Sequence, residues 1–108
     1  MRILLAEDDY VTRKFMTGFL SKYGECDVTV DGMEVVDAFM MALEDEEPYD
    51  LVCLDIMMPV MDGYQALMGI RNLEDNVIGI LFEPVTMIDN DSENMYQEFF
   101  NLIKKVRG

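Results

Sequence analysis

Short runs of apolar or alternating residues recur four times along the chain, and each is followed by a stretch with helical spacing. Residues 2–6 (Arg2-Ile3-Leu4-Leu5-Ala6) are almost wholly apolar and stop abruptly at Glu7-Asp8-Asp9. A continuous apolar run is what a strand buried on both faces requires. Residues 10–23 carry Val11, Phe15, Met16, Phe19, Leu20 and Tyr23 at helical spacing, with Gly24 as a stop. Residues 26–30 (Cys26-Asp27-Val28-Thr29-Val30) alternate and are rich in β-branched side chains, the pattern of a half-covered strand. Asp31-Gly32 is a turn signal, with Asp31 suited to cap a helix whose apolar stripe is Val35, Val36, Phe39, Met40 and Leu43. That helix ends in a solvated acidic tail, Glu44-Asp45-Glu46-Glu47, closed by Pro48. Residues 51–54 (Leu51-Val52-Cys53-Leu54) are again wholly apolar and again stop at an acid, Asp55. A third helix is expected from about Gly63 to Leu73, with Ala66, Leu67, Ile70 and Leu73 facing inward, and a fourth strand at 77–82. A last helix fits 92–107, with Met95, Phe99, Leu102, Ile103 and Val106 on one face. Lys104, Lys105 and Arg107 fall in its final turns, where positive charge offsets the helix dipole.

Strand and helix in strict alternation predict an α/β fold: a flavodoxin-like, doubly wound parallel sheet in three layers, shortened to about four strands. With no linker or repeat, residues 1–108 are expected to form one domain. A hydrophobic fraction of 51% is too high for a disordered chain. No apolar run approaches the ~20 residues of a bilayer span, and no leader peptide is visible, so the expected location is cytoplasmic. The formal net charge of -14, from 22 acids and 8 bases, opposes binding to nucleic acid or to an anionic membrane. Cys26 and Cys53 read as small buried thiols, and without histidine a zinc site is nearly excluded.

The acids at the strand ends change the picture. Open parallel sheets bind ligands beyond the carboxyl ends of their strands, where the strand order reverses. The first and third strands are neighbours in the flavodoxin-like order, so Glu7, Asp8 and Asp55 would project into one crevice. Asp9 alone is adequately explained as a helix cap. Three carboxylates crowded together repel one another, and a hard divalent cation is their natural occupant. Magnesium fits best, since it tolerates a few carboxylates together with water and a phosphate oxygen.

Two segments carry a family resemblance. Ile3-Leu4-Leu5-Ala6-Glu7-Asp8-Asp9 resembles the opening of response-regulator receivers of bacterial two-component, chemotaxis-type systems. Residues 51–63, Leu51-Val52-Cys53-Leu54-Asp55-Ile56-Met57-Met58-Pro59-Val60-Met61-Asp62-Gly63, are close to word-for-word their phosphorylation signature. Arg13 and the Asp31-Gly32 pair match as well, and the resemblance covers residues 1–82. It implies that Glu7 and Asp8 hold Mg2+, Asp8 directly and Glu7 more often through water. Asp55 would be both a metal ligand and the phosphoacceptor, and the backbone carbonyl of Met57 a further ligand. Pro59 and Gly63 would shape the loop after the acceptor. The donor would be a phosphohistidine on a sensor histidine kinase or a histidine phosphotransferase, with a downstream protein partner receiving the signal. The chain would then be a self-phosphorylating acceptor and not a turnover enzyme.

Residues 83–108 depart from the family pattern, which continues through a strand ending in Thr or Ser and a strand ending in Lys-Pro. Three alignments compete. In the first, Glu83-Pro84 stands for Lys-Pro after loss of one strand–helix unit; in the second, Thr86 is the switch hydroxyl in or just after strand four; in the third, 84–88 is itself strand four, with Asp89 in the hydroxyl's place. A mixture of the first two is preferred. The lysines, Lys14, Lys22, Lys104 and Lys105, neither follow a strand nor precede proline, so the usual counter-charge to a phosphoryl group is missing. That favours an alternative function, a degenerate receiver serving as a protein-interaction module. A haloacid-dehalogenase-type phosphatase is disfavoured, because Asp55-Ile56-Met57 lacks the second acid of a DxD motif. A four-stranded sheet leaves an apolar edge, which a homodimer built through the face of Phe99 and Ile103 would cover.

Overall fold

The computed structural model describes residues 1–74, 76–82 and 101. Seven elements follow in order: β1 (Arg2–Ala6), α1 (Tyr10–Leu20), β2 (Glu25–Thr29), α2 (Gly32–Glu44), β3 (Leu51–Asp55), α3 (Gly63–Leu73) and β4 (Ile78–Phe82). The strands pair in parallel in the order β2-β1-β3-β4. Right-handed crossovers then dictate the layers: the chain steps one way from β1 to β2 and the other way from β2 to β3 and β4. α1 therefore covers one face, and α2 and α3 cover the other.

The alternation of side chains along each strand divides the core accordingly. Leu4, Ala6, Val52 and Leu54 pack with Val35, Phe39, Ala66 and Ile70 beneath α2 and α3. Ile3, Leu5, Leu51, Cys53 and Phe82 pack with Met16 and Leu20 beneath α1. The two wholly apolar runs of the sequence are the two central strands, fully buried apart from Arg2 at the start of β1. Each such leucine or isoleucine removed from water contributes on the order of 2 kcal/mol. No helix of the described residues is long and apolar enough to cross a membrane.

Several expectations are corrected. α1 ends at Leu20 with Ser21 as its cap, and Tyr23 lies in the following turn, where its N–H donates to the Leu20 carbonyl. Val11 and Phe15 are exposed. The inner stripe of α1 is instead Thr12, Met16 and Leu20. Thr12 can be buried because its N–H and hydroxyl both donate to Asp9 Oδ2, at 2.9 and 2.8 Å. On α2, Ala42 is buried and Met40 exposed, and Leu73 at the end of α3 is also exposed. β2 begins at Glu25, one residue early, and ends at Thr29 with Val30 outside it. Cys53 is buried but Cys26 only half-buried, and both are free thiols. Burial pushes the Cys26 thiol up to about 11 and that of Cys53 up as well, which leaves both unreactive at neutral pH. The helix expected at 92–107, the competing alignments after Phe82, Thr86, and the Phe99 and Ile103 face fall outside the described residues or on side chains not described.

Candidate functional site

The site is assembled by register. β1 and β3 pair with Leu5 opposite Cys53 and Ala6 opposite Leu54; one further step sets Glu7 beside Asp55. This is the point where strand order reverses, with β2 on one side of β1 and β3 on the other. The Glu7 N–H donates to the Thr29 carbonyl at 3.1 Å and the Ile56 N–H to the Phe82 carbonyl at 3.0 Å, so the strand ends are held on both flanks.

Glu7, Asp8 and Asp55 each offer a carboxylate oxygen, and the three lie within 4.8 Å of one another. Glu7 and Asp55 are buried and Asp8 is exposed. Glu7 Oε1 accepts the Asp9 N–H at 2.9 Å, whereas Glu7 Oε2 is buried with no hydrogen-bond partner. Asp55 Oδ1 accepts the Met57 N–H at 3.0 Å. Burial, reinforced by the Asp55 and Asp8 carboxylates, pushes the Glu7 carboxyl up to about 8 against the opposing pull of the Asp9 N–H. Burial also raises the Asp55 carboxyl, and the Met57 N–H partly offsets it.

Arg13, five residues after Asp8, serves the backbone. Its Nη1 donates to the carbonyls of Glu7 and Asp8, at 3.0 and 3.3 Å, and its guanidinium lies 5.7 Å from the Tyr10 ring centre. Asp9 is the N-cap of α1, and its carboxyl is lowered by the Thr12 N–H and hydroxyl. Asp31 likewise caps α2, accepting the Glu34 N–H at 2.8 Å.

The loop from Asp55 to α3 is tightly built. Asp62 and Gln65 form a reciprocal capping box at the start of α3. The Gly63 N–H donates to the Ile56 carbonyl at 3.1 Å, and a side chain at Gly63 would collide with the carbonyl of Asp55. Gly32 meets the carbonyl of Met61 in the same way, so α2 and the loop after Asp55 also touch. Val60 sits at φ 69°, a left-handed conformation that a β-branched residue rarely adopts. Neither this strain nor the service of Arg13 to the two carbonyls was foreseen from the sequence. A β-branched residue gives no sign of positive φ, and a cation near acids reads first as a counter-ion.

The donor set fits a small hard cation. Three converging carboxylates, one with an orphaned buried oxygen, and two carboxyls raised chiefly by burial, make an all-oxygen site short of positive charge. Met57 follows Asp55 by two residues, with its side chain exposed and its N–H on Asp55.

Comparison with known proteins gives a consistent picture. The family model described as response regulator receiver domain matches residues 3–105. Peroxide stress-activated histidine kinase mak1 of Schizosaccharomyces pombe is 40% identical over 75 residues, covering 67% of this chain and 4% of that protein. Transcriptional regulatory protein HprR of Escherichia coli is 39% identical over 79 residues, covering 72% of this chain and 33% of that protein. The chain thus spans a third or less of the length of these two relatives. Among solved structures, the CheX–CheY–BeF3–Mg2+ complex of Borrelia burgdorferi contains a chain matching at a TM-score of 0.69 and 28% identity, covering 80% of this chain and 63% of that one. With a sheet of this order, an acid at the end of each central strand and a match along nearly its whole length, the chain belongs to the response regulator receiver domain family of two-component systems.

Proposed function

We propose that this receiver domain is a phosphoacceptor, taking a phosphoryl group onto Asp55 from a phosphohistidine of a sensor histidine kinase or histidine phosphotransferase. The convergence of Glu7, Asp8 and Asp55 in one crevice, with Glu7 Oε2 buried and unpartnered, carries this reading. Glu7, Asp8, Asp55 and the carbonyl of Met57 would hold Mg2+, which when bound supplies the positive charge that the phosphoryl oxygens require.

Asp55 acts as the nucleophile. One of its carboxylate oxygens forms the new O–P bond as the P–N bond of the phosphohistidine breaks, and the departing imidazole nitrogen takes up a proton from solvent. The Met57 N–H fixes the orientation of the carboxylate through Oδ1. Burial of Asp55 raises the nucleophilicity of its ionised form, since a desolvated carboxylate is more reactive than a hydrated one. The acyl phosphate formed is a mixed anhydride, which water returns to carboxylate and inorganic phosphate. No turnover of a separate substrate is involved, and the signal would pass to a downstream protein.

The test is magnesium-dependent labelling with acetyl phosphate, read by intact mass. One phosphoryl group should add, labile to hydroxylamine, and Asp55→Asn should abolish it. Labelling that survives the substitution would place the nucleophile elsewhere. Magnesium binding without any labelling would favour a receiver that serves as an interaction module.

A further inference from the structure

α2 and α3 lie side by side on one face of the sheet, and a methyl group on Gly69 would stand 3.3 Å from Val36 Cγ2. The bare Gly69 lets the two helices approach closely, so their outer surfaces form one continuous face. That face exposes large apolar side chains to solvent. Met33 and Met40 on α2 are 52% and 40% exposed, and Met68 and Leu73 on α3 are 68% and 42% exposed. At about 100° per residue, Met33 and Met40 fall on the same outer edge of α2, the edge toward Val36 and α3. A single exposed apolar residue needs no explanation, but several on the outer side of one helix pair point to an interaction surface. Unbranched methionines suit such a surface, because their flexible thioethers re-pack around a partner.

The charges on the same face identify the partner's chemistry. α2 carries Glu34, Asp37 and Glu44 and no basic residue, and Asp45, Glu46 and Glu47 follow directly. Glu44 and the tail that follows it gather at the carboxyl end of the helix, where the backbone dipole is already negative and a cation is the stabilising neighbour. Arg2 pairs with Glu25 and Asp27, and α2 carries no basic residue of its own, so its acids have no cation on their own helix. Nucleic acid and anionic lipid are repelled by that field. A strand-like ligand finds no backbone edge here, because α2 and α3 cover the sheet. What fits is a helix apolar on one side and cationic on the other.

We propose that the outer face of the α2–α3 pair docks a basic amphipathic helix of a protein partner. Its apolar stripe lies on Met33, Met40 and Met68, and its cations face Asp37, Glu44 and the acidic tail. This surface is on the opposite side of the sheet from α1 and is independent of the acceptor chemistry at Asp55.

The probe is a fluorescein-labelled amphipathic helical peptide of leucine and lysine, followed by anisotropy, with amide chemical shifts of the protein mapping where it binds. Shifts should concentrate on α2 and α3. The pairs Met40→Gln with Met68→Gln, and Asp37→Lys with Glu44→Lys, should each weaken binding by about tenfold or more. The pair Val11→Ser with Phe15→Ser, which removes equally exposed apolar groups from α1, should change it by less than about twofold. Shifts spread over the whole surface, equal losses in the α1 pair, or no binding at low ionic strength would each overturn the assignment. The shift map on the unaltered protein stands even if a variant folds poorly.

Discussion

Glu7 and Asp55 end adjacent parallel strands and, with Asp8, bring three carboxylate oxygens within 4.8 Å of one another. Burying and crowding these acids makes the metal-free protein less stable than its packing alone would allow. By mass action, magnesium at about ten times its dissociation constant should stabilise the fold by about 1.4 kcal/mol, a rise of several degrees in the melting midpoint. Asp8→Asn keeps the shape and removes one charge. It should raise the melting midpoint of the metal-free protein yet weaken magnesium binding about tenfold, from the sub-millimolar to millimolar range expected of such a site. An unchanged affinity by calorimetric titration would put the metal elsewhere.

The raised Glu7 carboxyl makes a second expectation, for the metal-free protein. In the unfolded chain this group releases its proton near 4.5, whereas in the fold it holds it to about 8. Between those values the native state binds more protons than the unfolded state, so stability falls as pH rises. Denaturant midpoints in chelator should thus decline from pH 5 to pH 8. In Glu7→Gln, which cannot ionise, that decline should shrink; a slope equal to that of the parent would assign it to other groups.

Val60, at φ 69°, holds a conformation that costs a β-branched residue on the order of 1–3 kcal/mol. Glycine adopts it freely but loses more chain entropy on folding. Val60→Gly should therefore stabilise the domain by about 1 kcal/mol, measured by chemical denaturation. A destabilisation would mean that the exposed Val60 side chain makes contacts worth more than the strain.

Gly63→Ala tests the close approach of α3 to the end of β3. The added methyl would meet the Asp55 carbonyl, and backbone cannot yield as a side-chain tip does. A loss of about 1–3 kcal/mol is expected, together with slower labelling of Asp55 by acetyl phosphate as the acceptor is displaced. Wild-type stability and rate would show that the loop has slack.

The legible parts of this structure were those with a single physical solution. Leu51-Val52-Cys53-Leu54 has no polar position and is too short, between Asp50 and Asp55, for a buried helix, so it reads as a strand covered on both faces with the acid that follows it at the sheet's end. Once β1 and β3 are neighbours, the meeting of Glu7 and Asp55 follows from register. α1 was less legible because its apolar residues occupy more than one helical face. The choice between them depends on Asp9, whose carboxylate lets Thr12 turn inward and leaves Val11 and Phe15 outside. Met40 and Leu73 were misplaced for a related reason: hydrophobicity gives the period of a helix, but a small residue such as Ala42 fills the tightest position against the sheet.

The loop after Asp55 is pinned before any ligand arrives: Ile56 to Phe82, Gly63 to Ile56, Met57 to Asp55, and Asp62 to Gln65. A ligand entering the crevice therefore freezes few torsions, and conformational entropy takes little from its affinity. What remains to set that affinity is charge, attracting at short range and attenuated by counter-ions over about 8 Å at physiological salt. The crevice should accordingly behave as an ionic-strength-dependent trap, its grip on a cation varying more with the surrounding electrolyte than with the stiffness of the loop.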